Sequence, residues 1–321
     1  MNRVGLEARS DVRVYSFAKI FYLQQNKAST ARGSLRDFHV SENTCRRIPP
    51  TAPTYMSPKG TPRIIVIVGP TASGKSTLAV DTAKRFSGEV ISADSRQVYR
   101  GLDVASGTIT NEEMCGIPHH LLNVADPNEQ FTVFTPPPVE PNQALRNELQ
   151  QKDTKELHSL LQEMDQRRAA EIDENNPRRL IRAIEIADEL GHVPKKEDNP
   201  PKFDCLQIGL TLSKETLRER IHERTTLRLK EGMIAEARQL HEGGLSYERM
   251  KQLGLEYELL AKYLEGNIET KEELQKAIET ADWQYARKQM SWFRRDGRIQ
   301  WHHPTQKDAI YKKIDSFLRT Q

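Results

Sequence analysis

The chain has 321 residues and a formal net charge of +3, with 36% apolar and 29% charged residues. That length holds one sizeable core plus a smaller domain. No apolar run is long enough for a membrane span, so no membrane partner is expected. A charge of +3 is too small to imply nucleic acid unless basic residues cluster locally. Cys45, Cys115 and Cys205 lie far apart and outside any C-x-x-C pattern. They point to a reducing, cytoplasmic setting and away from a metal site.

Residues 1–61 carry ten Lys or Arg against four Asp or Glu, with poor periodicity. They read as a disordered extension outside the fold or a mis-assigned start, with an organelle transit peptide as the alternative. The fold is expected to begin at residue 62. Ile64 to Val68 form an apolar run that reads as a buried parallel strand. It leads into Gly69, Pro70, Thr71, Ala72, Ser73, Gly74, Lys75 and Ser76, the G-x-x-x-x-G-K-S pattern of a phosphate-binding loop. The glycines let successive N–H groups turn toward phosphate oxygens, Lys75 adds a point charge, and the Ser76 hydroxyl suits Mg²⁺. A helix starting near Ser76 adds the positive end of its dipole.

Glu89 to Ser92 reads as a second short strand delivering Ala93, Asp94, Ser95, Arg96 and Gln97 at its carboxyl end, where ligands of open α/β sheets collect. Asp94 either faces the phosphate loop or caps the next turn. Thr110 to Glu113 is a capping-box pattern. His119 and His120 are adjacent on a strand and point to opposite faces, so packing or hydrogen bonding suits them better than a shared metal.

GPTASGKS, ISADSRQVYRGLDVASG and GIPHHLLNVADPNEQFTV, in that order and spacing, resemble the tRNA dimethylallyltransferase (isopentenyltransferase) family. The resemblance covers most of residues 63–302. It breaks after Val133, where family members continue with a helix, a buried strand and a Gly-Gly-Thr-Gly turn carrying a threonine associated with catalysis. Here Val133 runs into Phe134-Thr-Pro-Pro-Pro138. On the order of forty residues are missing, judged by the usual length of a strand–helix–strand repeat. The lost strand belongs between the first two, so its absence either exposes two inner edges or forces them to pair. Thr135 does not inherit the threonine's role. Thr108 stands where many members have lysine.

Residues 62–139 are thus expected to hold the phosphate-loop core and 140–199 a helical insertion. Residues 200–321 are expected to supply a further core strand, a helical tRNA-binding region and a C-terminal edge. Asn176-Pro177 starts a helix with stripe Leu180, Ala183, Ile184 and Ala187, ended by Gly191. Arg178, Arg179 and Arg182 in its first turns oppose the dipole unless a phosphate backbone lies over them; a solvated basic face is the alternative. The family block here contacts tRNA. Arg220, Arg224 and Arg228 share a helix face. By resemblance one arginine of this helix reaches diphosphate, with Arg224 the best match and Arg228 second. Thr270 to Glu273 caps a long helix that ends in Arg287, Lys288, Gln289, Trp292 and Arg294. Cations interleaved with aromatics suit RNA, and the family's K-R-Q-x-x-W-F block at the same place implies tRNA contact.

The expected fold is α/β, a P-loop NTPase-like parallel sheet with helices on both faces, a helical insertion and a helical C-terminal region. The resemblance implies a monomeric transferase that moves the dimethylallyl group of dimethylallyl diphosphate to N6 of the adenine beside the anticodon. Asp94 would be the proton acceptor, Arg224 the diphosphate ligand, and Asp94 to Gln97 would meet the tRNA. The competing readings are a small-molecule kinase that uses the same loop, and an RNA-binding remnant disabled by the deletion.

Overall fold

The computed structural model describes residues 19–22, 63–129, 131, 139–194 and 203–320. No helix among them is long and apolar enough to cross a membrane. The elements, in chain order, are β1 (Lys19–Tyr22), β2 (Arg63–Val68), α1 (Lys75–Phe86), β3 (Glu89–Ser92), α2 (Asn111–Met114) and β4 (His119–His120). Then come α3 (Gln143–Leu149), α4 (Thr154–Met164), α5 (Gln166–Glu171), α6 (Pro177–Leu190) and β5 (Asp204–Leu210). The chain continues with α7 (Lys214–Lys230), α8 (Met233–Glu242), α9 (Tyr247–Leu253), α10 (Glu256–Leu264), α11 (Lys271–Phe293), β6 (Gln300–His302) and α12 (Lys307–Arg319). They divide into two compact units, α3–α6 forming the smaller.

In the larger unit the sheet order is β4-β3-β1-β2-β5-β6. The pairs β2/β5, β5/β6 and β3/β4 are parallel. Every residue of β2 is buried, as its unbroken apolar run requires of a strand covered on both faces. Alternate residues Ile65 and Ile67, with Leu206, Ile208 and Leu210, pack on Leu78, Ala79, Ala83 and Phe86 of α1 and on Ile310, Ile314 and Leu318 of α12. Arg63 ties α12 to the sheet, bonding Asp204 Oδ2 at 3.3 Å and the Leu318 carbonyl at 3.0 Å. A second core joins Val98, Tyr99, Leu102 and Ala105 to α8–α11 through Met233, Met250, Tyr257, Leu260, Leu274 and Ile278.

The sheet solves the missing-strand problem in a way the sequence did not suggest. Neither exposed inner edges nor direct pairing is found. Lys19–Tyr22, inside the stretch expected to lie outside the fold, forms β1 and enters between β2 and β3, antiparallel to both. The physical cause is the orphaned backbone groups of two facing edges, which a four-residue strand satisfies on both sides. Four residues without a clear alternation give no periodic signal, which is why the strand escapes a sequence reading. The junction after Val133, with Thr135, lies outside the described residues.

In the smaller unit, Leu149, Leu157, Leu161, Leu180 and Ile184 make the core. Asn176 caps α6 through the Arg179 N–H, Pro177 follows at the first position, and Gly191 ends the helix with φ 75°.

Replacing Ile20 by proline removes a ladder N–H and the strand geometry at the centre of β1. Ile20→Pro is therefore expected to lower the unfolding free energy by roughly 3 kcal/mol in urea denaturation. An unchanged midpoint would show that this strand is not part of the folded sheet.

Candidate active site at the phosphate loop

The β1 register aligns the two strands that feed the site. Lys19 stands opposite both Ile67 and Ser92, so β2 and β3 end level with each other. The phosphate loop and Asp94 leave the same sheet edge, separated by two strand spacings, about 10 Å. The sequence pattern expects β3 to deliver Asp94 at this edge, and the register places the end of β3 there.

The loop has the expected curl. Gly69 (φ 149°) and Gly74 (φ 90°) lie in regions that favour glycine. A Cβ on Gly69 would come within 2.7 Å of the Leu210 carbonyl oxygen. Helix α1 begins at Lys75, one residue before the expected start, so its first N–H groups open into the loop. Lys75 Nζ donates to the Pro70 carbonyl at 2.7 Å. Ser76 is half-buried at the helix start.

Thr71 is held twice. Its N–H donates to Gln289 Oε1 at 2.8 Å, and its Oγ1 accepts from Arg224 Nη1 at 2.5 Å. The other arm of Arg224, Nη2, pairs with Asp282 Oδ2 at 2.6 Å. Arg224 also lines an open groove of about 380 Å³ with Ala72, Gly74, Arg220, Glu223 and Leu227. The first-choice arginine therefore lies against the loop, whereas Arg228 turns inward, its Nη1 3.1 Å from the Ala105 carbonyl and 3.5 Å from Glu256 Oε1.

Asp94 is buried and forms an Asx turn, Oδ1 accepting the Arg96 N–H at 2.9 Å. The turn-capping role weighed for it is therefore present, and Oδ2 accepts no hydrogen bond from the described residues. Arg96 lies 3.9 Å from Asp94 Oδ1 and forms an ion pair with Glu256. Burial pulls the Arg96 guanidinium down, but Glu256 and then Asp94 outweigh it and hold it well above the usual arginine value. Burial also raises Glu256, and Arg96, Arg228 and Arg224 overcome that, leaving it below the usual carboxylate range. Asp282 is pushed up by burial and by Glu256, against Arg224 and Arg228. Arg228 falls to about 10 through burial and the charge of Arg224. Three arginines and three acids thus share one buried network. Glu236 fixes the loop beside it, accepting the N–H groups of Asp103, Val104 and Ala105 at 2.9, 2.6 and 3.1 Å and the Tyr257 hydroxyl at 2.8 Å.

The residues expected to meet tRNA separate into two sets. Ser95, Arg178, Arg287, Lys288 and Arg294 are exposed, and Trp292 is half-buried against Phe293. Arg96, Gln97 and Gln289 are buried and engaged inside the protein; Gln97 joins Ser92 Oγ at 2.8 Å to the Gly107 carbonyl at 2.9 Å. In the smaller unit Arg182 bonds Glu185 and the Val139 carbonyl, and Arg179 sits 3.8 Å from Asp173. Among the predicted trio, Arg178 alone projects freely to solvent. The two histidines are half-buried hydrogen-bonding groups, His120 bonding Glu89 at 2.6 Å and His119 the Ile117 carbonyl at 2.8 Å.

A strand-loop-helix phosphate cradle at the edge of a helix-packed, mostly parallel sheet places the protein in the P-loop-like α/β class. A family model described as IPP transferase matches residues 97–136 and 134–296, and the chain belongs to that family. It is 33% identical over 305 positions to the tRNA dimethylallyltransferase of Halalkalibacterium halodurans, covering 80% of this chain and 96% of the relative. It is 36% identical over 272 positions to tRNA dimethylallyltransferase 2 of Treponema denticola, with 72% and 91% covered. The crystal structure of a tRNA isopentenylpyrophosphate transferase from Bacillus halodurans superposes with a TM-score of 0.56 at 31% identity, covering 78% of this chain and 95% of that one. The two segments matched by the family model meet at 134–136, where the sequence breaks from the family pattern. The 305 aligned positions also exceed the 80% of this chain that they cover, so the relative carries residues missing here.

Glu256→Gln keeps the shape of a side chain but leaves Arg96 and Arg228 without their buried partner, at a cost of about 3–5 kcal/mol near pH 7. A carboxylate whose folded pKa is lowered stabilises fully above its unfolded value, about 4.3, and loses that contribution as pH falls through the folded value. The wild-type advantage over Glu256→Gln should therefore shrink below pH 4 in urea titrations. A difference independent of pH would refute the assignment.

Proposed function

We propose that this chain transfers the dimethylallyl group of dimethylallyl diphosphate to N6 of the adenine beside the anticodon of tRNA, releasing diphosphate. The observation that carries this reading is the alignment of the phosphate loop and Asp94 at one sheet edge, in a chain of the IPP transferase family. The larger unit holds loop, acid and arginine together, so a monomer suffices.

The diphosphate oxygens lie against the first N–H groups of α1, Lys75 and Arg224. Their charge there is met by fixed dipoles and cations that need no rearrangement when the C–O bond breaks. The Lys75 ammonium exchanges the Pro70 carbonyl for the incoming anion. The adenine swings out of a loop, where unstacking costs less than in a duplex. Its N6 lone pair attacks the allylic carbon, the bonding pair leaves on the diphosphate oxygen, and the N6 proton passes to Asp94 Oδ2. Such general-base help contributes ~10²–10⁴-fold. Arg96 keeps Asp94 oriented through the Asx turn.

The donor set fits a Mg²⁺ that arrives with the diphosphate. Ser76 supplies one hard oxygen, and the described residues contain no cluster of three acidic, His or Cys ligands to hold a metal alone. Such an ion would add positive charge on the leaving group.

One observation favours a second reading, an RNA-binding remnant without turnover. Strand β1 runs opposite to its neighbours and brings Lys19, its first residue, to the catalytic edge. It restores the backbone pairing of a parallel strand but does not deliver a following turn there, where the family resemblance implies a threonine-bearing one.

Incubation of the full chain with radiolabelled dimethylallyl diphosphate, Mg²⁺ and an anticodon stem-loop should label the RNA. Asp94→Asn should reduce the rate ~10²–10⁴-fold with RNA affinity retained, and Lys75→Ala or EDTA should abolish labelling. RNA bound without label transfer by the wild type would establish the remnant, and label moved from ATP instead would establish a kinase.

A further inference from the structure

Helix α11 buries one stripe: Leu274, Ile278, Asp282, Ala286, Gln289 and Phe293. Two polar residues interrupt this otherwise apolar line, and both lead to the phosphate loop. Asp282 reaches Thr71 through Arg224. Gln289, only 5% exposed, reaches it directly, its Oε1 accepting the Thr71 N–H at 2.8 Å. A backbone N–H only donates, so the orientation of the carboxamide is fixed. Its Nε2 is consequently left buried beside the loop with no acceptor among the described residues, and the Ser73 hydroxyl of the same loop likewise has no partner among them. Polar atoms buried in this way call for a partner, and a donor set against an anion cradle matches an anionic oxygen.

We propose that Gln289 belongs to the diphosphate site and not to the tRNA surface. Its Oε1 anchors the loop through Thr71, and its Nε2 donates to an oxygen of the bound diphosphate. The inference rests on the reading under Proposed function and deepens it. The sequence reading put Gln289 with Arg287 and Lys288 as an RNA contact, but those neighbours are exposed on α11 while Gln289 faces inward. One rigid helix thus carries basic residues outside and the loop's anchor inside.

Two variants of the full chain test the assignment. Gln289→Met keeps the shape of the side chain and removes acceptor and donor; Gln289→Glu keeps the acceptor for Thr71 and replaces the donor with a charge that repels diphosphate. Calorimetric titration with inorganic pyrophosphate and Mg²⁺ should show affinity weakened about tenfold in Gln289→Met and more in Gln289→Glu. Fluorescence anisotropy with an anticodon stem-loop should stay within about twofold of wild type in both. In turnover, KM for dimethylallyl diphosphate should rise with the pyrophosphate constant and kcat should change less. RNA affinity lost with pyrophosphate affinity intact would make Gln289 an RNA contact and overturn the assignment. So would unchanged values in both titrations, or parallel loss of both ligands in both variants. A wild type that neither binds pyrophosphate nor transfers label gives a different pattern, one that removes the functional reading itself and this inference with it.

Discussion

A strand inside a sheet must hydrogen-bond on both edges, and that demand fixes the distance across which this site works. With β1 in place, β2 and β3 are held two strand spacings apart and in register, and their carboxyl ends open onto one edge. Without an occupant, the facing edges would collapse together or bind another strand. The phosphate loop and Asp94 would then lose their separation of two strand spacings. Strand polarity matters less for pairing than for delivery. A reversed strand satisfies the ladder but places its own beginning, and no following loop, at the catalytic edge. Scaffold and catalytic inventory are therefore separable in this chain.

Charge sets the second constraint. Burying one arginine or carboxylate costs several kcal/mol, which the attraction of an isolated pair often fails to offset. Arg96 and Arg228 share Glu256, while Arg224 divides its two arms between Asp282 and Thr71. The network sets three cations against three anions, so the outermost arginine is the one whose pairing can adjust to the anion that the proposed reaction would bring. Arg224 fits that description because it lines the open groove, whereas Arg228 is packed over Gly107 with no room for a Cβ.

Local chemistry explains which parts of this were legible in the sequence. The phosphate loop, the Asn176-Pro177 helix start and the capping boxes at Thr110 and Thr270 each depend on neighbours within a few residues, and all appear where expected. The position of Asp94 at the carboxyl end of β3 was legible because Glu89 to Ser92 reads locally as a short strand. Strand β1 was not, since its partners are 46 and 71 positions away by register at Ile20, which lies opposite Val66 and Ile91, and four residues carry no period. Glu256 and Asp282 were missed as site residues for the same reason: their partners come from distant elements.

The buried stripe of α11 did hold a readable signal. Residues 274, 278, 282, 286, 289 and 293 recur at spacings of three and four, the period of one helix face. On such a face, an Asp and a Gln are out of place unless something polar meets them. A basic–aromatic composition drew the reading toward RNA for the whole segment, Gln289 included. Phase separates the two roles where composition merges them. Arg287 and Lys288 fall off the stripe and face solvent, whereas Gln289 falls on it and meets Thr71. A polar residue in phase with an apolar stripe therefore belongs to an interior site, even when its sequence neighbours are surface cations.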